Sequence, residues 1–98
     1  MIKHVVLLNW KAGVTKQQIA DLGEGFKRLS QEVGEIKSYE FGPDAGFYKG
    51  NASYALVAEF ANAADLNAYV NHPKHQALLA ELAGPMLESF QAVQFEMH

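Results

Sequence analysis

Four segments of the chain combine β-branched and aromatic residues with a two-residue alternation, the pattern that is typical of β-strands. They span residues 2–10, 36–41, 53–60 and about 90–97. In the third segment one face would carry Tyr54, Leu56, Ala58 and Phe60. The opposite faces of the first and third segments are also apolar, with Val5, Leu7, Ala55 and Val57. The pattern therefore predicts a sheet that is covered on both sides.

Apolar residues at intervals of three and four predict an amphipathic helix after the first strand. Thr15 and Gln18 have the spacing of a capping box at its start, and Gly34 is typical of a helix end. Its apolar stripe consists of Ile19, Leu22, Phe26, Leu29 and Val33. Gly23 and Gly25 cost the helix about 1 kcal/mol each relative to alanine, which indicates either close packing or room for a ligand.

A second helical region follows the third strand. Asn62 is a favourable cap, and Asp65 lies near the positive end of the helix dipole. Pro73 interrupts this region and restarts it, because proline is well tolerated in a first helical turn. The inner positions of the two pieces are Leu66, Tyr69 and Val70, then His75, Leu78, Leu79 and Leu82. Gly84–Pro85 ends the region.

The predicted order of elements is β-α-β-β-α-β, which is typical of an α+β, ferredoxin-like fold. A chain of 98 residues is expected to form one domain, residues 1–98. Helices in such a fold cover one face of the sheet. The apolar residues on the other face then need a cover, and we expect a second copy of the chain packed sheet to sheet as a homodimer.

Composition narrows the classes of function. The net charge is −3 and the chain has no run of basic residues longer than Lys27–Arg28, which argues against nucleic-acid binding. Without cysteine there is no disulfide framework, thiolate metal site or thiol nucleophile. The apolar run Val5–Leu8 is too short for a signal peptide or a membrane span. We expect a cytoplasmic protein that does not engage membranes.

The most distinctive local motif is His72-Pro73-Lys74-His75. Proline at the helix start places His72 at the cap and His75 in the first turn, where the helix dipole favours a neutral imidazole. A neutral imidazole accepts protons, so a general base is a reasonable role for His75. His72 is expected to be an exposed cap, and it is also a candidate ligand-binding residue.

His4 and Tyr69 fall on the apolar faces of the first strand and the second helical region. Each residue is explained equally well as a core side chain whose polar atoms are hydrogen-bonded within the protein. Three convergent ligands are needed for a catalytic zinc site, and no carboxylate accompanies the histidines, so no metal or other cofactor is expected. One axial histidine and an apolar cavity suffice for haem, which keeps a haem-handling protein as an alternative.

The segments MIKHVVLLNWKAGVT, IKSYEFGPD and AYVNHPKHQALL resemble the stress-responsive dimeric α/β-barrel (Dabb) family over nearly the whole chain. The resemblance implies ferredoxin-like protomers whose sheets form a barrel on dimerisation. One plant branch of the family is a polyketide cyclase that closes its substrate by aldol condensation. By that resemblance His75 would be the general base, Tyr69 would steady the enolate oxygen and His4 would orient the substrate.

Our leading hypothesis is a homodimer with an apolar pocket between sheet and helices that binds, and acts on, a small hydrophobic oxygenated molecule. Besides the three residues with catalytic roles, its expected lining is Val6, Leu8, Phe26, His72 and Leu79. Two alternatives remain: a ligand-binding or stress-associated protein without chemistry, and a haem-handling or monooxygenase-type barrel. A pocket too small for a ligand would favour the first alternative.

Overall fold

The computed structural model describes all residues from Met1 to His98. Its strands are β1 (Ile2–Trp10), β2 (Ser38–Pro43), β3 (Tyr54–Phe60) and β4 (Leu87–Glu96). Its helices are α1 (Lys16–Glu32), α2 (Ala63–Val70) and α3 (Pro73–Leu78), and α3 continues into a π-helical turn, Leu79–Ala83. The strands form one antiparallel sheet in the order β2-β3-β1-β4. The prediction of an α+β, ferredoxin-like fold is confirmed.

The helix starts lie where the capping residues predict them. The backbone N–H of Gln18 donates to the Thr15 hydroxyl (3.1 Å), and the Thr15 N–H donates to the Gln18 side chain (2.8 Å). Asn62 accepts from the N–H of Asp65 at 2.9 Å. These bonds satisfy N–H groups that have no partner inside the helix, so each helix begins at a residue that the local sequence determines.

Two strand starts were predicted wrongly. β2 begins at Ser38 and not at Ile36, because Ile36 still belongs to the turn after α1, where its N–H donates to the Val33 carbonyl at 3.3 Å. β4 begins at Leu87 and not near Phe90, because pairing with β1 extends until Leu87 lies opposite Trp10. The turn after α1 therefore sets the start of β2, whereas pairing with β1 sets the start of β4.

The π-helical turn after α3 was not predicted. The N–H of Gly84 donates to the Leu79 carbonyl at 2.6 Å, five residues back. A Cβ on Gly84 would lie 2.8 Å from the same carbonyl oxygen, so only glycine lets the chain close this turn without a clash. The turn places Leu79 and Ala83 beside the cavity described below.

The core lies between the helices and one face of the sheet. Its most deeply buried side chains include Leu22, Val33, Phe60, Tyr69 and Met86. The helix-free face is much less covered: Leu7 is 40% exposed, Val93 55% and Phe95 48%. Separately, none of the helices combines the length and apolar character that crossing a membrane requires.

Candidate active site

Three polar side chains from separate elements meet in the core. His4 comes from β1, Tyr69 from α2 and His75 from α3. The ring centroid of Tyr69 lies 4.4 Å from that of His75 and 6.1 Å from that of His4. They share a cavity of about 60 Å³ whose lining is His4, Val6, Leu8, Phe26, Leu56, Tyr69, His75, Leu79, Ala83 and Leu87.

The backbone determines which nitrogen of His75 carries the proton. Nδ1 lies 2.9 Å from the Val70 carbonyl oxygen, and since a carbonyl only accepts, Nδ1 is the donor. In the neutral ring Nε2 is then unprotonated and free to accept. Burial lowers the pKa of His75; the Val70 carbonyl opposes this shift and the nearby His72 adds to it. The ring is therefore neutral near pH 7, with a basic Nε2.

His4 is held in the opposite tautomer. The Gln94 side-chain amide on β4 donates to Nδ1 of His4 at 2.9 Å, which leaves the proton of the neutral ring on Nε2. Burial lowers the pKa of His4, and the charge interaction with His75 lowers it further. The cavity therefore contains one imidazole that accepts a proton and one that donates a hydrogen bond.

The hydroxyl of Tyr69 is paired with that of Tyr39 on β2 at 2.7 Å. Burial raises the pKa of Tyr69 to about 12, although the bond to Tyr39 acts in the opposite direction. Burial, together with the Tyr69 hydroxyl, also raises the pKa of Tyr39 above its ordinary value. Both phenols are therefore neutral at physiological pH.

Of the residues that the sequence suggested for the site, His72 alone is not among those that line the cavity. Its Nδ1 instead accepts a hydrogen bond from the backbone N–H of Lys74 at 3.1 Å, so its side chain caps α3. The physical reason is the residue that follows: Pro73 at the first helical position makes His72 the cap.

Residues 2–97 match the model of the stress responsive A/B barrel domain. The chain belongs to this family. The fold, the two histidines and the tyrosine described above therefore belong to a stress responsive A/B barrel domain, as the resemblance in the sequence implied.

Relatives of this A/B barrel chain include proteins from bacteria and plants. A dimeric ferredoxin-like protein of unknown function from Thermobifida fusca YX is 36% identical, with a TM-score of 0.91 over 98% of this chain and 90% of that one. The stress-response A/B barrel domain-containing protein HS1 of Arabidopsis thaliana is 28% identical over 76% of this chain and 70% of that protein. A hydroxynitrile lyase from Passiflora edulis, 19% identical, has a TM-score of 0.85 over 99% of this chain and 93% of that one, which shows a shared fold alone.

Two polar residues of this A/B barrel site were missed by sequence reasoning: Tyr39 and Gln94. Both lie in strands on the faces that meet the helices, and a polar side chain at such a position is itself a signal. Their partners are 30 and 90 residues away along the chain. The sequence did not supply the strand register that brings each pair together.

The site offers little to a metal or a large cofactor. No three His, Cys, Asp or Glu side chains come together in a group that would hold a metal ion. The cavity of about 60 Å³ beside His75 is far smaller than a haem macrocycle, so the residues present do not fit that group. What the arrangement can do is move a proton.

Proposed function

We propose that this protein binds a small oxygenated organic molecule beside His75 and removes a proton from the carbon next to its carbonyl group. The observation that carries the proposal is the unprotonated Nε2 of His75, which the Nδ1–Val70 hydrogen bond (2.9 Å) leaves free in an apolar cavity. Burial lowers the pKa of this imidazole, so the ring is neutral at physiological pH and can accept a proton.

The charges of the step balance within the site. The proton moves from carbon to Nε2 of His75, which becomes an imidazolium that donates through Nδ1 to the Val70 carbonyl. The negative charge moves to the carbonyl oxygen, for which the Tyr69 hydroxyl and the Nε2–H of His4 are the donors. Attack of the resulting enolate on a second carbonyl forms a C–C bond, and His75 returns the proton to the new alkoxide.

Tyr39 contributes as a positioning residue. When its hydroxyl donates to Tyr69 across the 2.7 Å contact, the proton of Tyr69 stays available for the cavity. The raised pKa of both phenols, which burial causes first of all, keeps them as neutral donors. A phenolate at this position would repel an enolate, so burial supports the proposed role.

The volume of the cavity limits the substrate. Small-molecule sites usually measure about 300–1,000 Å³, whereas the space here is about 60 Å³. Only a substrate with a few non-hydrogen atoms fits without movement of the wall. Leu79 is the lining residue that is exposed to solvent (37%), and it is the side chain whose displacement would admit a larger molecule.

The same small volume favours a second candidate function, a stress-associated protein that binds without chemistry. His4, Tyr69 and His75 each have one hydrogen-bond partner within the protein, as side chains of a filled core would. This candidate predicts no proton transfer to any ligand. One experiment separates the two candidates.

That experiment is hydrogen–deuterium exchange at the α carbon of acetone or 2-butanone in D₂O, followed by ¹H NMR. We expect the wild-type protein to accelerate exchange over an equal concentration of imidazole, and His75→Gln to lower the rate about a hundredfold or more. Tyr69→Phe should lower it by roughly a hundredfold. His72→Asn keeps a good helix cap and is the matched histidine control, with an unchanged rate. Exchange no faster than with imidazole would assign the protein to the non-catalytic class.

We also propose that the protein is a homodimer that pairs through the helix-free face of its sheet. Support comes from the exposed Leu7, Val93 and Phe95 and from the dimeric relative of Thermobifida fusca. The apolar centre of this face is bounded at one end by the ion pair of Lys3 Nζ with Glu59 Oε2 (4.0 Å). At the other end Asn9 Nδ2 donates a hydrogen bond to Ser89 Oγ (3.3 Å). An apolar centre with a polar rim is typical of protein interfaces.

A further inference from the structure

A groove of about 720 Å³ lies between α1 and the end of the β2–β3 hairpin. Its lining consists of Lys16, Ile19, Ala20, Gly23, Glu24, Lys27, Phe41, Gly42, Pro43 and Tyr54. The groove lies on the helix side of the sheet, away from the proposed dimer face. Its volume falls in the range of small-molecule sites, about 300–1,000 Å³, unlike that of the cavity beside His75.

A buried phenol without a protein partner faces this groove. Tyr54 is only 3% exposed, yet its hydroxyl makes no hydrogen bond to the protein, and burial alone raises its pKa. Trp10 Nε1 is the sole unpaired side-chain N or O atom that is sealed from solvent, so the Tyr54 hydroxyl is not sealed. The hydroxyl lies beside Gly23, another lining residue of the groove. A buried polar group usually has a partner, and here the groove is the place where one can bind.

Because Gly23 has no side chain, the Tyr54 hydroxyl stays accessible from the groove. A Cβ on Gly23 would lie 3.7 Å from the Tyr54 oxygen, so any longer side chain would cover it. Gly25, two residues on, is different: a Cβ there would lie 2.9 Å from Leu82, which means that close packing requires that glycine. Packing therefore explains Gly25 but not Gly23, which costs helix stability and leaves open space.

The charges on the rim favour an anion. Lys16 and Lys27 line the groove with a single carboxylate, Glu24, and its remaining lining residues carry no charge. Apolar side chains such as Ile19 and Phe41 would contact the body of a ligand. We propose that this groove is a second binding site, separate from the His75 cavity, for a small apolar carboxylate whose oxygen accepts a hydrogen bond from Tyr54 and whose charge is met by Lys16 and Lys27.

The test is titration of the protein with octanoate, below the micelle concentration of octanoate, by calorimetry and by ¹⁵N NMR. We expect saturable binding with shifts of the Gly23 and Gly42 amides. Gly23→Leu, which also raises helix propensity, should abolish binding. Tyr54→Phe should weaken it about tenfold. Lys27→Gln should weaken it about threefold, whereas Lys37→Gln, a lysine outside the groove, should leave it unchanged.

Octanamide and octylammonium test the charge of the ligand. Binding of octanamide at least tenfold weaker than that of octanoate, with no detectable binding of octylammonium, would support a carboxylate site. Octylammonium binding as tightly as octanoate would overturn the proposal, as would octanoate binding that Gly23→Leu leaves intact, or no octanoate binding at all. Because these readouts do not depend on proton transfer, their failure is distinct from failure of the function proposed for His75.

Discussion

The hydroxyls of Tyr39 and Tyr69 lie 2.7 Å apart and form a hydrogen bond that joins the edge strand β2 to α2 inside the core. Their rings meet edge to face, with centroids 5.9 Å apart. Each phenol is the other's only hydrogen-bond partner within the protein. This pair therefore links the stability of the core to the hydrogen-bonding state of a residue that lines the cavity.

Removing one hydroxyl of this pair should destabilise the protein, because the other is left buried without a partner. We expect Tyr39→Phe and Tyr69→Phe each to lower the free energy of unfolding by about 1–3 kcal/mol. In the double variant, the decrease in unfolding free energy should be smaller than the sum of the two single decreases by at least about 0.5 kcal/mol. Urea unfolding at fixed protein concentration measures all three. Tyr54→Phe, which removes a hydroxyl without a protein partner, is the matched control and should change stability by less than about 0.5 kcal/mol. If the decrease in the double variant equals the sum of the single decreases, the two hydroxyls are not coupled.

Stability should fall when the solution becomes mildly acidic. Burial lowers the pKa of both His4 and His75 from 6.5. Below about pH 6.5 these two imidazoles are therefore protonated in the unfolded chain but still neutral in the folded chain. The unfolded state then holds more protons, and stability rises with pH. The contribution is complete above about pH 6.5 and is lost as the pH falls towards the depressed pKa values of the folded protein.

Urea unfolding at pH 7.5, 6.5 and 5.5 tests this expectation. The free energy of unfolding should decrease across the series in the wild-type protein. In His75→Gln the decrease should be shallower, because one of the two buried imidazoles is gone. The slope of the unfolding free energy against pH separates this effect from the pH-independent loss of stability that removal of the His75 ring causes. Parallel slopes would show that His75 does not contribute to the pH dependence.

The π-helical turn should depend on Gly84. A Cβ at this position would lie 2.8 Å from the Leu79 carbonyl oxygen, so Gly84→Ala must displace backbone and is expected to cost about 1–3 kcal/mol. Gly34→Ala is the matched control, since nothing lies within 4 Å of its Cβ position and its φ is not positive. That variant should be neutral or more stable by up to about 1 kcal/mol. Thermal unfolding of both variants is the measurement, and equal effects would remove the steric argument.

The proposed dimer should dissociate when a charge is placed on the helix-free face. Leu7 is the central exposed residue of β1 on that face, and Leu7→Lys would bury two charges at a symmetric interface. We expect wild-type protein to have the mass of a dimer at micromolar concentration in light scattering, and Leu7→Lys that of a monomer. Ala64→Lys, on the exposed side of α2, should remain dimeric. A monomeric wild-type protein would contradict the proposal.

Much of the fold follows from local patterns in the sequence. The capping pairs at Thr15 and Asn62 set the helix starts, and the alternation from Tyr54 to Phe60 matches the burial of β3 residue by residue. The inward positions of His4, Tyr69 and His75 also follow from periodicity, because strand and helix periods determine which face a side chain takes. Periodicity does not predict where a strand begins to pair with its neighbour. For this reason β2 and β4 begin at residues that the composition did not indicate.

The hydrogen bonding of the residues around the His75 cavity was decided by contacts between distant parts of the chain. The tautomer of His4 depends on Gln94, which lies 90 positions away in sequence, and the Tyr69 hydroxyl depends on Tyr39 in another strand. The sequence by itself determined the order of elements, their inner faces and the family. Only the tertiary structure decided the 60 Å³ size of the His75 cavity, the π-helical turn on its wall and the groove over Tyr54. The physical reason is that faces are set by local backbone geometry, whereas volumes and hydrogen-bond partners are set by strand register and by how closely the helices pack on the sheet.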